Sequence, residues 1–254
     1  MIQDGTPSSQ DPLDLTIVIP CLNEEARIVA TLETAKSAMA ELPYSYEILV
    51  IDDGSTDATA RVVSEYAASH PEISIRLHKN VHNLGLTRSY VDGAFRGKGK
   101  YYRLVCGDNV EPKETLVAVF RQLGNADIII PYHTVVPGKS ALRLAISRVY
   151  TWAVNQLSGY TIKYYNGLAA HLRYNVMRWG PYSFGFGFQA ELITRLLDEG
   201  ATYIEIPVAV TTHQVKDRRD SALNLRNFLS VGHTLLEVFI RRVRKRAFPR
   251  QSRP

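Results

Sequence analysis

The sequence predicts an α/β fold in which helices cover both faces of a mostly parallel sheet. Short apolar runs rich in β-branched residues alternate with stretches of helical periodicity through the first half of the chain. Several of these runs stop at Asp, Gly or Asn residues, which favour turns at the ends of strands. The 254 residues are enough to bury one large hydrophobic core.

The elements can be assigned in chain order. Residues 1–13 are polar and predict a flexible leader. Strands are expected at residues 15–20, 48–51, 73–78, 101–106, 126–131 and 203–210, and helices at residues 28–42, 58–67, 86–95, 112–123, 142–157, 192–197 and 223–246. Asn23 is expected to cap the first helix, and Ser55 or Asp57 the second. No element is predicted for the tyrosine-rich residues 160–174.

Charge and cysteine content restrict the class of protein. The formal net charge is +5, and much of it comes from a basic cluster between Arg241 and Arg253. Two cysteines, Cys21 and Cys106, are too few for a disulfide framework, which favours a reducing compartment. No apolar run approaches the roughly 20 residues that span a bilayer. The N-terminus lacks the basic and apolar regions of a signal peptide.

Two acidic turns follow predicted strands. The first contains Asp52 and Asp53, and the second contains Asp108. Because the carboxyl ends of parallel strands lie at one edge of a sheet, both turns are expected to face one ligand there. The alternative is that each turn only caps the following helix and binds nothing.

Five segments of the chain, in order, carry a family resemblance. They are VIPCLNEEARI at 18–28, ILVIDDGSTD at 48–57, NLGLTRSYVDGA at 83–94, CGDNVEP at 106–112 and GFGFQAELITRLLDEGATYIEIPV at 185–208. In these segments the chain resembles family 2 glycosyltransferases of the GT-A fold, more narrowly the polyprenyl-phosphate glycosyltransferases of the dolichol-phosphate mannose synthase type. The resemblance implies a Rossmann-like sheet and a nucleotide-sugar-dependent hexosyltransferase that inverts the anomeric carbon.

The resemblance also implies a nucleotide-sugar site. Its nucleoside contacts fall on Pro20, Leu22, Glu24 and Asp52, and carboxylates suit this role because ribose hydroxyls and base N–H groups are donors. Asp53, Arg88, Gly107 and Asp108 complete the expected site. Two of these residues have simpler alternatives: Glu24 as a charge at a helix N-terminus, and Arg88 on a solvated helix face.

A divalent cation is the expected cofactor. The Asp-X-Asp turn of the family falls on Cys106, Gly107 and Asp108, so only the last aspartate is kept. Mg²⁺ or Mn²⁺ is therefore expected on Asp108, with Asn109 or Glu111 assisting, because Mg²⁺ needs few carboxylates when phosphates and water also bind. Cys106 is either a ligand for a softer metal or a small buried hydrophobe.

The acceptor implied by the resemblance is a polyprenyl phosphate. Family positions for its phosphate fall on Lys216, Arg218 and Ser221, in a stretch that is alternatively a solvated charge run. The expected catalytic residues are these three together with Asp108, Gln189 and Glu191, and the expected acceptor loop contains Asn166 and Gly167. An anionic phosphate oxygen needs little help from a general base, so positioning and charge neutralisation would dominate catalysis.

Contact with a membrane is expected from two helices. Residues 142–157 are amphipathic, and the last helix ends in the basic cluster, a pattern typical of anionic lipid surfaces. The alternative for the last helix is core packing with a basic tail. We expect a protein located in the cytoplasm, peripheral at the inner face of the membrane, without nucleic acid as partner. An integral-membrane partner or a homo-oligomer is left open.

The expected organisation is a leader (residues 1–13), a catalytic domain (14–220) and a basic amphipathic helix with a tail (221–254). The catalytic domain divides into a nucleotide-sugar half (14–131) and an acceptor half (132–220). Two alternatives to the polyprenyl-phosphate reaction are a transferase acting on a saccharide or glycolipid hydroxyl, which needs a general base, and a nucleotide-sugar-binding protein without turnover.

Overall fold

Fifteen helices and strands occur in the residues that the computed structural model describes, which are 13–133, 141–178, 187–208 and 225–247. The strands are β1 (Leu15–Cys21), β2 (Tyr46–Asp52), β3 (Ser74–Lys79), β4 (Tyr101–Leu104), β5 (Ile128–His133), β6 (Ala170–Leu172) and β7 (Tyr203–Val208). The helices are α1 (Ile28–Met39), α2 (Thr59–Ser69), α3 (Leu86–Arg96), α4 (Lys113–Phe120), α5 (Ala141–Ser158), α6 (Arg173–Met177), α7 (Phe188–Asp198) and α8 (Leu225–Ala247).

The strands form one sheet in the order β3-β2-β1-β4-β6-β5-β7. Strand β6 is antiparallel to β4 and β5, and the other pairings are parallel. The predicted α/β class with a mostly parallel sheet is therefore confirmed. Strands β1 and β2 are buried on both faces, which explains their continuous apolar sequences.

Sequence analysis missed β6 and α6. Strand β6 has only three residues, Ala170–Leu172, and lies inside the stretch for which no element was predicted. Its pairing partners, β4 and β5, are far away in sequence. A strand this short has no periodicity of its own, so long-range pairing alone defines it.

Hydrophobic cores fill both faces of the sheet. Helices α1, α2 and α4 pack on one face, against β1, β2 and the first half of β4. Helices α3, α5 and α7 pack on the other face, where Tyr90, Tyr102 and Phe188 form a chain of ring contacts 5.1 and 5.3 Å apart. This arrangement leaves the carboxyl ends of β1, β2 and β4 together at one edge.

The predicted helix caps are partly wrong. Helix α1 begins at Ile28, so Asn23 lies too far upstream to cap it. Asn23 instead adopts a left-handed conformation, with φ of 56°, and bonds to the next loop. Before α2, the N-cap position is Ala58 and neither predicted residue; Asp57 Oδ1 still accepts from the N–H of Thr59 at 2.9 Å, whereas Ser55 does not.

Candidate functional site

The turns after β1, β2 and β4 meet at the carboxyl edge of the sheet, which we call the donor edge. Register places Cys21 beside Asp52 in the β1–β2 pair and Val18 beside Leu104 in the β1–β4 pair. The donor edge therefore brings together residues 20–25, 52–59 and 105–111. The two predicted acidic turns lie on either side of β1, as their positions after parallel strands required.

Reciprocal hydrogen bonds lock the loops after β1 and β2 together. The backbone N–H groups of Asn23 and Glu24 donate to Ser55 Oγ at 2.9 Å and to Thr59 Oγ1 at 2.8 Å. In return, Asn23 Oδ1 accepts from the N–H of Thr56 at 2.9 Å. Each loop satisfies backbone donors that the other leaves unpaired, so the two loops form one rigid unit.

The two adjacent aspartates of the first turn have different roles. Asp53 accepts from Asn80 Nδ2 at 2.8 Å and from the N–H groups of Leu84 and Gly85 at 2.9 and 2.8 Å. Both of its oxygens thus hold the loop between β3 and α3. Its predicted contact with a nucleotide sugar stays a prediction.

Asp52 has one carboxylate oxygen without a hydrogen-bond donor in the described residues. The residue is fully buried, and its Oδ1 accepts from the N–H of Ser55 at 2.8 Å. Its Oδ2 has no hydrogen-bond donor in the described residues, and the nearest cation, Lys79 Nζ, lies 4.0 Å away. A buried acceptor without a donor is costly, which marks Asp52 as a group that a ligand N–H or O–H would satisfy.

Glu24 lies close enough to Asp108 for the two carboxylates to interact. Glu24 Oε2 accepts from Arg27 Nε at 2.9 Å. Burial raises the pKa of Glu24, Arg27 opposes this effect, and the negative charge of Asp108 raises the pKa further. Both acidic groups therefore belong to the donor edge, and Glu24 is not in the first turn of α1.

The turn that carries Asp108 is attached to helix α1. Thr31 Oγ1 donates to the carbonyl of Gly107 at 2.9 Å, and Thr34 Oγ1 donates to Asn109 Oδ1 at 3.0 Å. A Cβ at Gly107 would lie 2.9 Å from Cys21 Cβ, so only glycine fits without a shift. These contacts fix the backbone on both sides of Asp108.

The donor set for a metal is small. Within the described residues, no group of three or more His, Cys, Asp or Glu side chains is placed to hold a metal ion. Glu111 forms an ion pair with the buried Arg103, and Asn109 Oδ1 is bonded to Thr34. Cys106 is half-buried and packs against the core on the α3 and α7 face. Asp108 remains the carboxylate that suits a cation whose other ligands are phosphates and water.

The structure shows where three other predicted donor-site residues lie, and their roles stay predictions. Pro20 is buried in β1, and Leu22 is partly exposed beyond its end. Arg88 Nε donates to Asp92 Oδ2 at 2.9 Å on an exposed face of α3. This ion pair agrees with the alternative given for Arg88, a charge on a solvated helix face.

The predicted catalytic residue Gln189 lies beside β6. Gln189 is buried, and its Oε1 accepts from His171 Nε2 at 3.4 Å. Burial lowers the pKa of His171 to about 4, so this histidine is neutral at pH 7. Neither His171 Nδ1 nor Gln189 Nε2 has a partner among the residues that the structure describes.

Other acceptor predictions fall partly outside the described chain. Lys216, Arg218 and Ser221 are among the residues not described. Asn166 is exposed, whereas the backbone at Gly167 passes so close to the carbonyl of Pro131 that a Cβ would collide with it. The segment containing these two residues therefore crosses the end of β5.

Helix α8 packs on the acceptor half. Arg241 donates to the carbonyl of Glu191 at 3.2 Å and to Thr194 Oγ1 at 3.0 Å, both on α7. Arg242 Nη1 donates to the carbonyl of Ser158, at the end of α5, at 2.9 Å. One face of α8 is therefore core-packed, and two arginines of the basic cluster serve this packing.

The outward faces of α5 and α8 remain apolar. Among the described side chains, the exposed large hydrophobics of α5 are Leu142, Ile146, Val149 and Trp152, and those of α8 are Leu236, Phe239 and Val243. Their spacing places each set on one helix face. We call these two sets the apolar faces. None of the helices in the described ranges is long and apolar enough to cross a membrane.

Sequence reasoning missed Arg103 and His171. Arg103 lies in β4 and is fully buried, and His171 lies in the unpredicted β6. An arginine inside a predicted buried strand, with a glutamate eight residues later, was the available signal for Arg103. Nothing in the sequence around His171 indicated burial.

A protein-family model matches more than half of the chain. Residues 16–178 match the model "Glycosyl transferase family 2". This match confirms the resemblance inferred from the five segments.

Curated relatives share parts of the chain. A "Dolichyl-phosphate beta-glucosyltransferase" of Dictyostelium discoideum is 34% identical over 108 residues, which cover 39% of this chain and 33% of the relative. An "Undecaprenyl-phosphate 4-deoxy-4-formamido-L-arabinose transferase" of Pseudomonas fluorescens is 25% identical over 218 residues, covering 85% of this chain and 62% of the relative. The chain thus spans less than two thirds of these relatives.

Solved structures show the same fold. A mannosyltransferase from Pyrobaculum calidifontis in complex with GDP-Man and Mn²⁺ superposes with a TM-score of 0.64 at 18% identity. The superposition covers 95% of this chain and 67% of the mannosyltransferase. At this identity the likeness supports the architecture of the sheet and its helices.

Proposed function

Because the chain belongs to glycosyl transferase family 2, we propose that it transfers a sugar from a UDP- or GDP-sugar to a polyprenyl phosphate at a membrane surface. The observation that carries the proposal is the buried Asp52, whose Oδ2 has no hydrogen-bond donor in the described residues. It lies at the donor edge, where parallel sheets bind ligands. A nucleoside supplies the N–H or O–H donor that this oxygen needs.

The donor edge suits the remaining parts of a nucleotide sugar. The locked loops after β1 and β2 would present Pro20, Leu22, Glu24 and Asp52 to the nucleoside without reorganising. Preorganised acceptors bind more tightly because less conformational entropy is lost on binding. Asp53 would act indirectly, by holding the loop between β3 and α3 in place.

A divalent cation fits this edge when the nucleotide brings phosphate oxygens. Asp108 would hold Mg²⁺ or Mn²⁺, and Gly107 would let the turn approach the diphosphate closely. The ion would supply positive charge that stabilises the diphosphate leaving group. The bonds from Thr31 and Thr34 hold the turn, so Asp108 needs no rearrangement to bind.

The acceptor would be held on the opposite side of the sugar. A phosphate oxygen of the acceptor is anionic at neutral pH, so proximity and charge neutralisation would suffice for attack with inversion. Lys216, Arg218 and Ser221 would bind this phosphate, while Gln189 and Glu191 would lie near the sugar. Asn166 and Gly167 would border the acceptor.

Attachment to the membrane would place this site at its lipid substrate. The apolar faces of α5 and α8 expose seven large hydrophobic side chains, and Arg148 and Arg244 are also exposed on these helices. Apolar side chains bordered by cations favour an anionic lipid surface. Two relatives named for dolichyl and undecaprenyl phosphates support a lipid acceptor. We place the protein at the cytoplasmic face.

The test is sugar transfer from a panel of radiolabelled UDP- and GDP-sugars to a short polyprenyl phosphate in detergent. The reaction is run with Mg²⁺, with Mn²⁺ and with a chelator. A labelled lipid product that requires metal is the expected result. Sugar transfer that persists in the chelator would contradict the proposed role of Asp108 in metal binding. Donor binding without any lipid product would favour a hydroxyl acceptor or a binding protein without turnover.

A further inference from the structure

A single buried arginine contacts both halves of the candidate site. Arg103 is fully buried and is the largest such side chain in the described residues. Its Nη1 donates to Glu111 Oε2 at 3.0 Å, and its Nη2 donates to Glu111 Oε1. Its Nε donates to the carbonyl of Leu168 at 3.0 Å. The Phe120 ring lies 5.5 Å from the guanidinium carbon.

The two partners of Arg103 belong to functionally different segments. Glu111 lies three residues after Asp108, at the end of the turn that β4 leads into. Leu168 directly follows Gly167, in the segment that crosses the end of β5. One guanidinium therefore connects the turn with the candidate metal ligand to the predicted acceptor loop.

We propose that Arg103 is a positioning residue that holds the Asp108 turn and the Asn166–Gly167 segment in a fixed relation across the sheet. The importance of this link for catalysis rests on the proposed function, because the two segments hold donor and acceptor only if the chain is such a transferase. The link itself is a property of the folded chain and can be tested without substrate.

The chemistry of arginine suits this role better than simple filling of the core. A planar guanidinium with a paired carboxylate and a third bond to a carbonyl has one allowed orientation. Buried ion pairs often add little stability compared with apolar side chains of similar volume. What such a pair adds here is a defined distance between two loops, which apolar contacts do not specify.

The chain offers a matched control in Arg173. Its Nε donates to the carbonyl of Gly99 at 2.7 Å and its Nη1 to the carbonyl of Ala94 at 3.0 Å. These partners lie before β4 and near the end of α3, away from the donor edge. Arg173 thus also ties backbone segments together through a partly buried guanidinium, but it contacts neither segment of the candidate site.

The experiment compares Arg103→Met, Arg103→Met/Glu111→Leu, Arg103→Lys and Arg173→Met with the wild-type chain. Amide hydrogen exchange is measured for residues 105–111 and 163–170. Mn²⁺ is titrated in the presence of UDP and, in parallel, of GDP. Sugar transfer is then measured with the panel described above, and melting temperatures are recorded for all variants.

We expect Arg103→Met to raise exchange about tenfold in both segments and to lower kcat/KM about 100-fold, as misplaced catalytic groups do. The double variant removes the unpaired, partly buried carboxylate of Glu111, so it should regain the wild-type melting temperature but keep both defects. Arg103→Lys should keep part of the link to Glu111 and fall between wild type and Arg103→Met. Arg173→Met should leave exchange in the two segments unchanged.

Two results separate failure of this proposal from failure of the proposed function. If the double variant matches the wild-type chain in exchange and in kcat/KM, Arg103 only fills the core and the positioning role is wrong. If the wild-type chain transfers no sugar and binds neither nucleotide with Mn²⁺, the proposed function fails. Exchange in the two segments then still decides whether Arg103 links them.

Discussion

The donor edge and the acceptor half reach their order by different means. At the donor edge, polar side chains such as Asn23 and Ser55 bond to backbone N–H groups of the neighbouring loop. In the acceptor half, polar side chains such as His171 and Gln189 are buried in the hydrophobic core and bond mainly to each other. The first arrangement pairs backbone donors of two loops, whereas the second leaves His171 Nδ1 and Gln189 Nε2 without a partner in the described residues.

The two halves also differ in which buried polar atoms lack a hydrogen-bond partner in the described residues. At the donor edge, Asp52 Oδ2 has no hydrogen-bond donor in the described residues, at a place where a nucleoside would bind. Of the described residues in the acceptor half, Tyr150 Oη, His171 Nδ1 and Gln189 Nε2 are all buried without a partner. The nucleotide-sugar half also buries Thr87 Oγ1 and Tyr90 Oη without a partner in the described residues, so the two halves carry similar polar penalties, at about 1–3 kcal/mol for each atom.

The largest expected effect comes from removing a negative charge at the donor edge while keeping the size of the side chain. Asp108→Asn should reduce sugar transfer about 100- to 1000-fold, because charge stabilisation of the leaving group is lost. Initial rates with Mn²⁺ measure this. The control is Asp92→Asn, which removes a partly exposed carboxylate paired with Arg88 on α3 and should change the rate little. Equal rates for the two variants would contradict the role of Asp108.

The acceptor half can be perturbed by pH through His171. Burial lowers its pKa from 6.5 to about 4, so the unfolded chain binds more protons between these values. Its contribution to stability is complete above pH 6.5 and is lost as the pH falls towards 4. We expect a loss of about 3 kcal/mol in the free energy of unfolding.

Chemical denaturation between pH 7.5 and 4.5 tests this contribution, with His171→Phe and the exposed-residue variant His82→Gln measured alongside. The stability of the wild-type chain relative to His171→Phe should fall over this pH range. The stability difference between the wild-type chain and His82→Gln should not show this pH dependence. A constant difference between wild type and His171→Phe would show that His171 does not titrate as a buried neutral group.

The proposed binding of the apolar faces to a membrane can be tested with paired substitutions on α5 and α8. Val149→Ser/Trp152→Ser and Leu236→Ser/Phe239→Ser should each weaken binding to phosphatidylglycerol-containing vesicles about tenfold, because apolar area is no longer buried in lipid. Vesicle sedimentation measures this, and melting temperatures should change little. Phe95→Ser on α3, which also removes an exposed aromatic side chain, is the matched control. Unchanged vesicle binding in both double variants would refute the docking role.

The smallest expected effect concerns the locked loops of the donor edge. Asn23→Ala removes the acceptor for Thr56 and places alanine at a φ of 56°, so it should cost about 1–2 kcal/mol. Asn23→Gly loses only the hydrogen bond and should cost less. Urea denaturation compares both with Asn125→Ala, whose exposed bond to Gln122 should contribute little. If glycine costs as much as alanine, the backbone conformation of Asn23 is not strained.

Much of the donor half could be predicted from sequence because its signals are local. Each apolar run ends in a recognisable turn, so the order of β1, α1, β2 and α2 and the position of Asp52 and Asp108 followed directly. The caps were less predictable, because Asn23 bonds across to another loop and not to its own helix. Lys216, Arg218 and Ser221 lie outside the described residues, and their roles stay predictions.

By itself, the sequence determined the α/β class, the parallel strands with their acidic ends and the family to which the chain belongs. These features depend on periodicity and on turn chemistry within a few residues. Only the tertiary structure decided that Asp53 holds a loop while Asp52 Oδ2 has no hydrogen-bond donor in the described residues, that β6 exists, and that Arg103 contacts both Glu111 and Leu168. Such contacts join residues from separate strands and loops, and their energies arise from burial, which no short stretch of sequence specifies.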